Sequence, residues 1–516
     1  MPILLDGKAL ESALGQQQRR RAKRIKQPGG VMVEVSQSGD GVTLERLDDC
    51  RWRVPRQGGM RVDGLIFAND LLIQEIRGTE AVRQVANVAC LPGAVGCSIG
   101  MPDLHWGFGF PIGGVAAFDP ADGGVISPGG VGYDINCGVR LLRSPLTREA
   151  LGGRLPQLMD RLFQQVPAGL GRGHSQLVRN CDVRRLLAEG AAWAVERGLG
   201  VPEDLARIED GGRLTEADPE AVSDRAIKRG RDQIGTVGSG NHFIEIGCVD
   251  AVYDESAAHR LGLVAGTVTV LIHSGSRGLG HQVCEDFLVT MERISDCKGI
   301  DLPDPQLACA PLDSVAAQDY LGAMQAAANF AYVNRQAMTQ QVRAALTQVF
   351  GEAASLELVY DVSHNIAKCE RHWVGGQVRE VCVHRKGATR ALPPGHPALP
   401  AELQALGQPV LLPGDMGRAS YVLLGTQGAY AETFGSSAHG AGRRLSRRQA
   451  KRAAAGRDLD AELAHAGVEV RASSRQTVAE ELPEAYKNIA DVVEVVVHAG
   501  IGRRVARLRP LGVLKG

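Results

Sequence analysis

Several features that mark other protein classes are scarce or missing in this chain of 516 residues. Aromatic residues make up only 4% of it, which argues against an extended base-stacking surface. Positive and negative side chains are equal in number, 58 against 58, so binding of nucleic acid would need a local basic surface. No apolar run reaches the roughly 18 residues of a membrane-spanning helix. The start, MPILLDGKAL, lacks the pattern of a secretory signal.

Two further absences narrow the class of protein. The eleven cysteines include no C-x-x-C pair and their number is odd, which favours free thiols in a reducing compartment, the cytoplasm. Neither of the glycine-rich pieces HRKGATRA and LLPGDMGRASYV has the spacing of a P-loop or of a dinucleotide-binding loop. A generic ATPase or dehydrogenase is therefore unsupported, although both pieces can cradle phosphates.

The chain has the composition of a globular protein, with 44% hydrophobic and 22% charged residues. We predict an α+β fold: one large catalytic domain over residues 43–516, with mixed β-sheets surrounded by helices and a central metal-lined cleft. Residues 1–42 contain the basic run RRRAKRIK, and we expect them to form a flexible N-terminal extension. An accessory RNA-binding arm is the alternative for this segment.

Glycine density and apolar spacing predict the coarse secondary structure. Glycines between residues 44 and 143 exclude long helices there and favour strands joined by tight turns. Residues 184–198 show helical spacing, as do residues 316–347, whose length suggests two helices or one bent helix. The runs TVTVLIHS, LELVYDVSH and VREVCVHR resemble buried strands, each with a histidine at or near its end.

Three histidines lie in settings that favour metal binding. His242, His273 and His364 occur in GSGNHFIEI, LIHSGSRG and YDVSHNIAK, where strand-like runs meet small polar residues or glycine. A strand that ends in such a turn can place an imidazole at the floor of a cleft, and neutral imidazole is the commonest metal ligand. A structural role is the usual one for any single histidine, but three such positions predict a metal centre.

Asp134 and Cys137, in YDINCGVR, add a carboxylate and a thiol three residues apart. Taken with three histidines, they read as a zinc set, since thiolate and imidazole both suit that ion. The alternative for Cys137 alone is a small buried apolar residue. From the residues, the metal stays unnamed.

His439 has a different environment, FGSSAHGAGRRLSR. Glycines and serines there offer backbone N–H groups, while Arg443 and Arg444 offer charge for phosphate oxygens. The imidazole can be a nucleophile toward phosphorus or a plain phosphate-binding group, and the local sequence does not choose between them.

From about Gly64 to Gly516 the chain resembles the RtcB family of RNA-splicing ligases. The resemblance rests on ordered motifs: MPDLHWGFGFPIGG, GGVGYDINCGVR, GTVGSGNHFIEI, HSGSRGLGH, DVSHN, HRKGATRA, PGDMGRASYVLLGT, HGAGR, EAYKNI and a C-terminal KG. A single GSGNH would mean little, whereas ten motifs in order are very specific.

The resemblance implies roles for individual residues. His439 would attack the α-phosphate of GTP and carry GMP, and Asp103 would orient its imidazole. Two manganese ions would be held, with the thiolate shared between them, by Asp134, Cys137, His242, His273 and His364. Phosphate would be contacted by Asn241, Asn365 and Arg443. The guanine would be surrounded by Glu245, Ser420, Tyr486 and Lys515.

Manganese comes from the resemblance only, because hard oxygen ligands usually suit that ion better than cysteine. One nucleotide-binding position departs from the family: Asp415 stands where relatives carry serine, and Arg418 lies close in sequence. An acid near a triphosphate repels it unless a metal or an arginine lies between.

The implied function is to join an RNA 3′-phosphate or 2′,3′-cyclic phosphate end to a 5′-hydroxyl end through a histidine–GMP intermediate, in tRNA splicing or RNA repair. RNA and GTP are the expected partners. An activating protein is a further possible partner, and no association with a membrane is expected. We expect the RNA phosphates to be bound by basic residues: Arg385, Lys386, Arg390, Arg447 and Arg448. Three alternatives are a paralogue that caps 3′-phosphate ends without sealing them, a binuclear-metal phosphoesterase, and a non-catalytic RNA-binding protein.

Overall fold

The computed structural model describes residues 23–26, 32–38, 41–169 and 182–516. Its strands are β1 Lys23–Lys26, β2 Met32–Gln37, β3 Thr43–Arg46, β4 Arg51–Val54, β5 Asp63–Phe67, β6 Ala94–His105, β7 Ile112–Phe118, β8 Val125–Ile126, β9 Gly138–Thr147, β10 Phe243–Val252, β11 Thr267–Ser274, β12 Ala310–Pro311, β13 Glu357–Ser363, β14 Asn365–Val374, β15 Gln377–Lys386, β16 Ala388–Arg390, β17 Pro409–Leu412, β18 Ser420–Leu424, β19 Ser436–Ala438, β20 Glu469–Ala472 and β21 Arg503–Lys515.

Most of the helices lie in the segments of the chain that connect these strands. The α-helices are α1 Asp70–Ile76, α2 Ala81–Val88, α3 Arg148–Leu151, α4 Leu155–Gln165, α5 Val183–Glu189, α6 Ala191–Glu196, α7 Pro202–Leu205, α8 Asp224–Gly230, α9 Glu255–Leu261, α10 Arg277–Lys298, α11 Val315–Phe350, α12 Gln427–Glu432, α13 Arg447–Ala453, α14 Leu459–His465, α15 Arg475–Glu480 and α16 Ile489–His498. The 3-10 helices are Pro120–Asp122, Pro128–Gly130, Gly152–Arg154, Glu209–Gly212, Pro219–Ala221, Arg231–Gln233, Pro305–Leu307, Ala401–Leu403 and Pro483–Ala485.

Two large sheets organise the molecule. The first has nine strands in the order β1-β2-β3-β4-β5-β6-β7-β15-β14. The second has the order β13-β9-β11-β10-β21-β18-β17, with β20 added beside β21. Most neighbours are antiparallel, but β5 pairs with β6 and β20 with β21 in parallel. The sheets are therefore mixed, and the predicted α+β class is confirmed.

Helix α11 lies at the junction of the two sheets. Its N-cap is Ser314, whose hydroxyl accepts the N–H of Ala317, and it ends at Gly351, which has a φ of 84°. Phe330 of this helix is buried in one core with side chains of the first sheet, while Val342 is buried in another with side chains of the second. One helix of 36 residues thus replaces the two that its length suggested.

Other local predictions had mixed outcomes. The glycine-rich region up to residue 143 contains no α-helix longer than eight residues among those described, as expected. The predicted helix over residues 184–198 is split at Gly190, whose φ of 60° favours glycine. None of the helices in the described ranges is both long and apolar enough to cross a membrane.

The N-terminal segment is described only in part. Strands β1 and β2 pair with each other, and β2 pairs with β3, which extends the first sheet. The first half of the basic run RRRAKRIK, residues 19–22, and the residues before it lie outside the described residues. The division into an extension over residues 1–42 and a catalytic domain over residues 43–516 stays a prediction.

Candidate active site

The predicted metal ligands meet at one edge of the second sheet. Strands β13, β9, β11 and β10 are neighbours there and alternate in direction. His273 is the penultimate residue of β11 and His364 follows β13, whereas Cys137 and His242 directly precede β9 and β10. Ends of two strands and starts of two others therefore bring four side chains to the same place.

The ligand atoms are close enough to share cations. The Cys137 Sγ lies 3.4 Å from the His242 Nε2 and 3.3 Å from the His273 Nε2. The His273 and His364 Nε2 atoms are 3.3 Å apart, and the Asp134 Oδ2 is 2.8 Å from the His242 Nε2. Two groups result, Cys137 with His273 and His364, and Asp134 with Cys137 and His242, so the thiol belongs to both.

These separations fit the coordination shell of a metal ion. Nitrogen ligands at about 2.0–2.1 Å from a tetrahedral ion are ~3.3–3.4 Å from each other, as the His273 and His364 Nε2 atoms are here. Burial lowers the pKa of His273 and of His364 well below the ordinary value, so both rings are neutral and can coordinate. Two neutral imidazole nitrogens and a thiol thus lie close together in a buried position. A bound cation would stabilise this arrangement.

The pKa values of the two acidic ligands, Cys137 and Asp134, also indicate a site for a cation. Burial, with the Asp134 carboxylate beside it, raises the pKa of the Cys137 thiol well above its ordinary value. Burial also opposes ionisation of Asp134, but the His242 imidazole and the Arg277 guanidinium outweigh it and lower its pKa to about 2. A thiolate so close to a carboxylate requires a compensating cation.

Buried polar groups of α11 hold the ligand-bearing segments in place. The Arg335 Nη1 donates to the carbonyls of Asn136 and Ser274, at 2.8 Å and 3.0 Å, next to Cys137 and His273 in the chain. Its Nη2 donates to the Asp361 carboxylate at 2.8 Å, three residues before His364. One guanidinium therefore fixes three of the strands that supply ligands.

His439 follows β19 and is held by a buried carboxylate. The Asp103 Oδ2 lies 2.6 Å from the His439 Nδ1 and accepts the backbone N–H groups of His439 and Gly440 at 2.9 Å and 3.2 Å. Burial alone would raise the pKa of Asp103, but these contacts hold it below its ordinary value. The ring centroid of His439 is 4.9 Å from that of His364, so His439 borders the candidate metal centre.

A cleft opens beside His439. It encloses about 910 Å³, including the solvent at its mouth. His273 and His439 line it, so it reaches the candidate centre. Six of the predicted nucleotide-binding residues also line it: Asn241, Glu245, Asp415, Arg443, Tyr486 and Lys515.

Glu245 and Lys515 give the cleft its inner polar surface. Burial, with Asp415 nearby, raises the pKa of Glu245 to about 8, and its Oε1 has no hydrogen-bond partner within the described part of the chain. The Lys515 Nζ donates to the Gly240 carbonyl at 3.0 Å and lies 3.6 Å from the Glu481 carboxylate. The cleft lining thus includes a carboxyl group with unused hydrogen-bonding capacity and a buried ammonium.

Arginines neutralise two acids at the cleft wall. Arg418 forms an ion pair with Asp415, as their spacing suggested, and its Nη2 also donates to the Pro483 carbonyl at 2.6 Å. Arg443 contacts the Glu481 carboxylate at 2.9 Å and lies over the Tyr486 ring, 5.1 Å from its centroid.

Two predicted nucleotide-binding residues are not in the cleft lining. The Asn365 side chain bridges the Asp134 carbonyl, at 3.0 Å, and the Gly387 N–H, at 2.8 Å. Ser420 is buried, and its hydroxyl accepts the N–H of Gly414 at 3.3 Å. Their roles toward phosphate and guanine stay predictions.

Three of the five basic residues expected to bind RNA phosphates are buried, so that prediction is wrong for them. Arg385 donates to Glu370 and Ser436, and Arg390 forms ion pairs with acids that include Glu209. Lys386 donates to three backbone carbonyls. These three cations have internal partners that local sequence does not reveal.

The other two basic residues, Arg447 and Arg448, begin α13 on the surface. Arg447 also lines the cleft, with its side chain 59% exposed.

Three residues of the site were missed from the sequence. His105 lines the cleft with its ring centroid 6.4 Å from that of His439, and burial lowers its pKa to about 3. Lys487 donates to the carbonyls of Pro102 and Leu104, on either side of Asp103. Glu481 pairs with Arg443 and Lys515. His105 and Lys487 belong to the motifs MPDLHWGFGF and EAYKNI, which supplied the signal.

Fold and site together define an α+β enzyme with a buried candidate metal centre next to a cleft that most of the predicted nucleotide-binding residues line. Residues 84–516 match the family model described as tRNA-splicing ligase RtcB. The "tRNA-splicing ligase RtcB" of Thermococcus kodakarensis is 52% identical over 479 residues, which are 92% of this chain and 99% of the relative. The "RNA-splicing ligase RtcB" of Mycobacterium tuberculosis is 56% identical over 437 residues, 84% of this chain and 100% of the relative. The chain belongs to the RtcB family of RNA-splicing ligases.

Proposed function

We propose that the protein joins an RNA 3′-phosphate or 2′,3′-cyclic phosphate end to a 5′-hydroxyl end with consumption of GTP, in tRNA splicing or RNA repair. Membership of the RtcB family supports RNA as the substrate. The observation that carries the chemistry is the placement of His439, whose Nδ1 lies 2.6 Å from the Asp103 carboxylate. A neutral imidazole that donates through Nδ1 keeps a lone pair on Nε2.

The first step is transfer of GMP to His439. The Nε2 attacks the α-phosphorus of GTP, a phosphorus–nitrogen bond forms, and the bond to pyrophosphate breaks. Asp103 holds the ring in the correct tautomer and stabilises the positive charge that develops on it. Glu245 accepts hydrogen bonds from the guanine edge, with Tyr486, Lys515 and Ser420 around the base.

The two remaining steps move GMP through the RNA. An oxygen of the RNA 3′-phosphate, formed by opening of the ring where the end is cyclic, attacks the phosphorus of the His439 adduct and releases the imidazole. The 5′-hydroxyl of the second strand then attacks the activated 3′-phosphate and expels GMP. Asn241, Asn365 and Arg443 bind phosphate oxygens during these transfers.

Two manganese ions, held by Asp134, Cys137, His242, His273 and His364, would neutralise charge on the attacking and departing oxygens. The separations of the ligand atoms support a metal centre, while manganese in particular rests on the family resemblance. Asp415, paired with Arg418, does not present an uncompensated charge to the nucleotide. The activating protein expected from the resemblance stays a prediction.

Labelling with GTP tests the nucleophile, the nucleotide and the metal together. We expect the protein to acquire label from α-³²P-GTP with Mn²⁺ and to lose this ability in His439→Ala. The matched control is His465→Ala, an exposed histidine at the end of α14, which should label normally. Equal labelling of both variants would refute the role of His439, and phosphate release without GTP would favour the binuclear phosphoesterase.

Joining and capping are separated by the RNA substrate. A 3′-phosphate strand is incubated with labelled protein, with and without a 5′-hydroxyl partner. We expect a longer strand to appear only with the partner. A GMP-capped strand that never joins the partner would identify the paralogue that caps ends without sealing them.

A further inference from the structure

Three partly exposed rings form a short row outside the cleft. Tyr133 stacks on His281 with ring centroids 4.7 Å apart and an interplanar angle of 28°. Phe108 and Tyr133 meet edge to face, with ring centroids 5.4 Å apart and an interplanar angle of 62°. We call these three residues the aromatic ledge. In a chain with 4% aromatic residues, such a row at the surface requires an explanation.

Two residues of the aromatic ledge lie close to the candidate metal centre. Tyr133 directly precedes Asp134 in the chain. His281 lies in the first turns of α10, where the N–H of Arg277 donates to the Asp134 Oδ1 at 3.1 Å. A ligand bound on these rings would therefore be next to the place where the reacting phosphate must bind.

Buried contacts hold the ledge rigid from below. The Lys386 Nζ donates to the carbonyls of Phe108, Phe110 and Gly129, at 2.5 Å, 3.1 Å and 3.0 Å. Gly132, just before Tyr133, has a φ of 96° and packs against the same lysine side chain. The rings are thus exposed on a fixed backbone, which lowers the entropy cost of binding a flat ligand.

The charges around the ledge do not repel a polyanion. The His281 Nδ1 lies 3.1 Å from the Glu285 carboxylate, and the same carboxylate forms an ion pair with Arg229 at 2.9 Å. The acid next to the rings is therefore compensated, and the partly exposed rings are the surface that the ledge offers to a ligand.

We propose that the aromatic ledge stacks on the base of the RNA nucleotide that carries the 3′-phosphate. The proposal rests on the function proposed above, because it assumes that this phosphate reaches the candidate centre beside Asp134. The base belongs to the same nucleotide as the phosphate and must bind close to it. Stacking accepts any of the four bases, so the ledge would hold the end without selecting its sequence.

An abasic substrate tests this directly. Binding of a short 3′-phosphate RNA is compared with binding of the same RNA lacking its terminal base, by fluorescence anisotropy. We expect the wild-type protein to bind the abasic end about 5- to 150-fold more weakly, the range that stacking of one base gives. In Tyr133→Leu the two RNAs should bind nearly equally, whereas Tyr133→Phe should keep the discrimination.

The control is Tyr253→Leu, which should keep the discrimination. Tyr253 is an exposed tyrosine that directly follows the C-terminal end of β10. An RNA lacking its fourth base from the end should bind the wild type like intact RNA. As a second signal, 2-aminopurine at the terminal position should lose fluorescence on binding the wild type but not Tyr133→Leu.

The outcomes distinguish the two proposals. If the wild-type protein neither labels with GTP nor joins RNA, the proposed function fails. If it joins RNA but binds intact and abasic ends equally, or if Tyr133→Leu keeps the discrimination, the ledge does not bind the terminal base.

Discussion

Replacement of Asp103 by asparagine tests how the protein prepares His439 for attack. Three nitrogen atoms, the His439 Nδ1 and the backbone nitrogens of His439 and Gly440, lie 2.6 Å, 2.9 Å and 3.2 Å from the same oxygen, Oδ2. The other oxygen, Oδ1, is buried with no hydrogen-bond partner among the described residues. The asparagine oxygen can therefore take the place of Oδ2, which preserves the geometry and removes only the negative charge.

The expected loss follows from that difference. A hydrogen bond to a charged group contributes ~1.5–3 kcal/mol and a neutral one ~1 kcal/mol, so about 0.5–2 kcal/mol of stabilisation of the charged ring is lost. Since 1.36 kcal/mol corresponds to a tenfold change in rate, transfer of GMP should slow about 2- to 30-fold in Asp103→Asn. Asp103→Ala removes the acceptor altogether and should be slower still, because the ring loses its orientation and two backbone N–H groups lose their partner.

The assay is single-turnover labelling with α-³²P-GTP, with rates measured for the wild type and both variants. Asp119→Asn is the matched control, since it alters another buried carboxylate that accepts a backbone N–H, that of Ala121 at 2.9 Å. We expect the order wild type, Asn variant, Ala variant, with the control like the wild type. A wild-type rate in Asp103→Asn would refute the electrostatic argument, and a wild-type rate in Asp103→Ala would remove Asp103 from the mechanism.

Three further predictions concern the nucleotide, the metals and the framework. Burial raises the pKa of Glu245 to about 8, and only the ionised carboxylate accepts two guanine N–H groups. Calorimetry should therefore show GMP binding that tightens about tenfold per pH unit from pH 6 to 8, relative to the Glu245→Gln variant. Parallel pH profiles for the two proteins would contradict this. Since Cys137 belongs to both ligand groups and His364 to one, Cys137→Ala should lose both metal ions and His364→Ala only one, by elemental analysis; equal losses would exclude a shared thiolate. Arg335→Met should lower the free energy of unfolding by about 3–5 kcal/mol in urea, because it removes one of the two cations paired with the buried Asp361 and the hydrogen bonds to the Asn136 and Ser274 carbonyls. The exposed Arg161→Met should change it by less than about 0.5 kcal/mol; equal effects would contradict the structural role of Arg335.

Much of the candidate site was predictable because its ligands lie where strands end. His273 and His364 follow runs of β-branched and apolar residues that form β11 and β13, and a strand end next to glycine or serine is readable locally. What local sequence cannot provide is the order of strands in a sheet. The C-terminal strand β21 pairs with β10, so that Lys515 lies opposite Phe243, a contact across more than half of the chain.

The wrong predictions have a common physical cause. Arg385, Lys386 and Arg390 look like a phosphate-binding cluster because basic residues in a glycine-rich segment are usually exposed. Here the C-terminal part of β15 and all of β16 are buried, and the partners of these cations are acids and carbonyls from other segments, such as Glu209 and Glu370. Whether a charge faces water or a buried counter-ion is decided by tertiary packing, which the spacing of residues does not encode.

The buried cations also limit how RNA can be bound. Arg335, Lys386 and Lys487 donate to backbone carbonyls of the segments that build the site, so their charge stabilises the framework.

Three basic side chains line the cleft instead, Arg443, Arg447 and Lys515, and Glu480 or Glu481 contacts each of them. With a formal net charge of zero over the whole chain, the positive potential that attracts phosphate must arise within this small region. Attraction should therefore be short in range and confined to the RNA end, which suits an enzyme that acts on termini rather than along a strand.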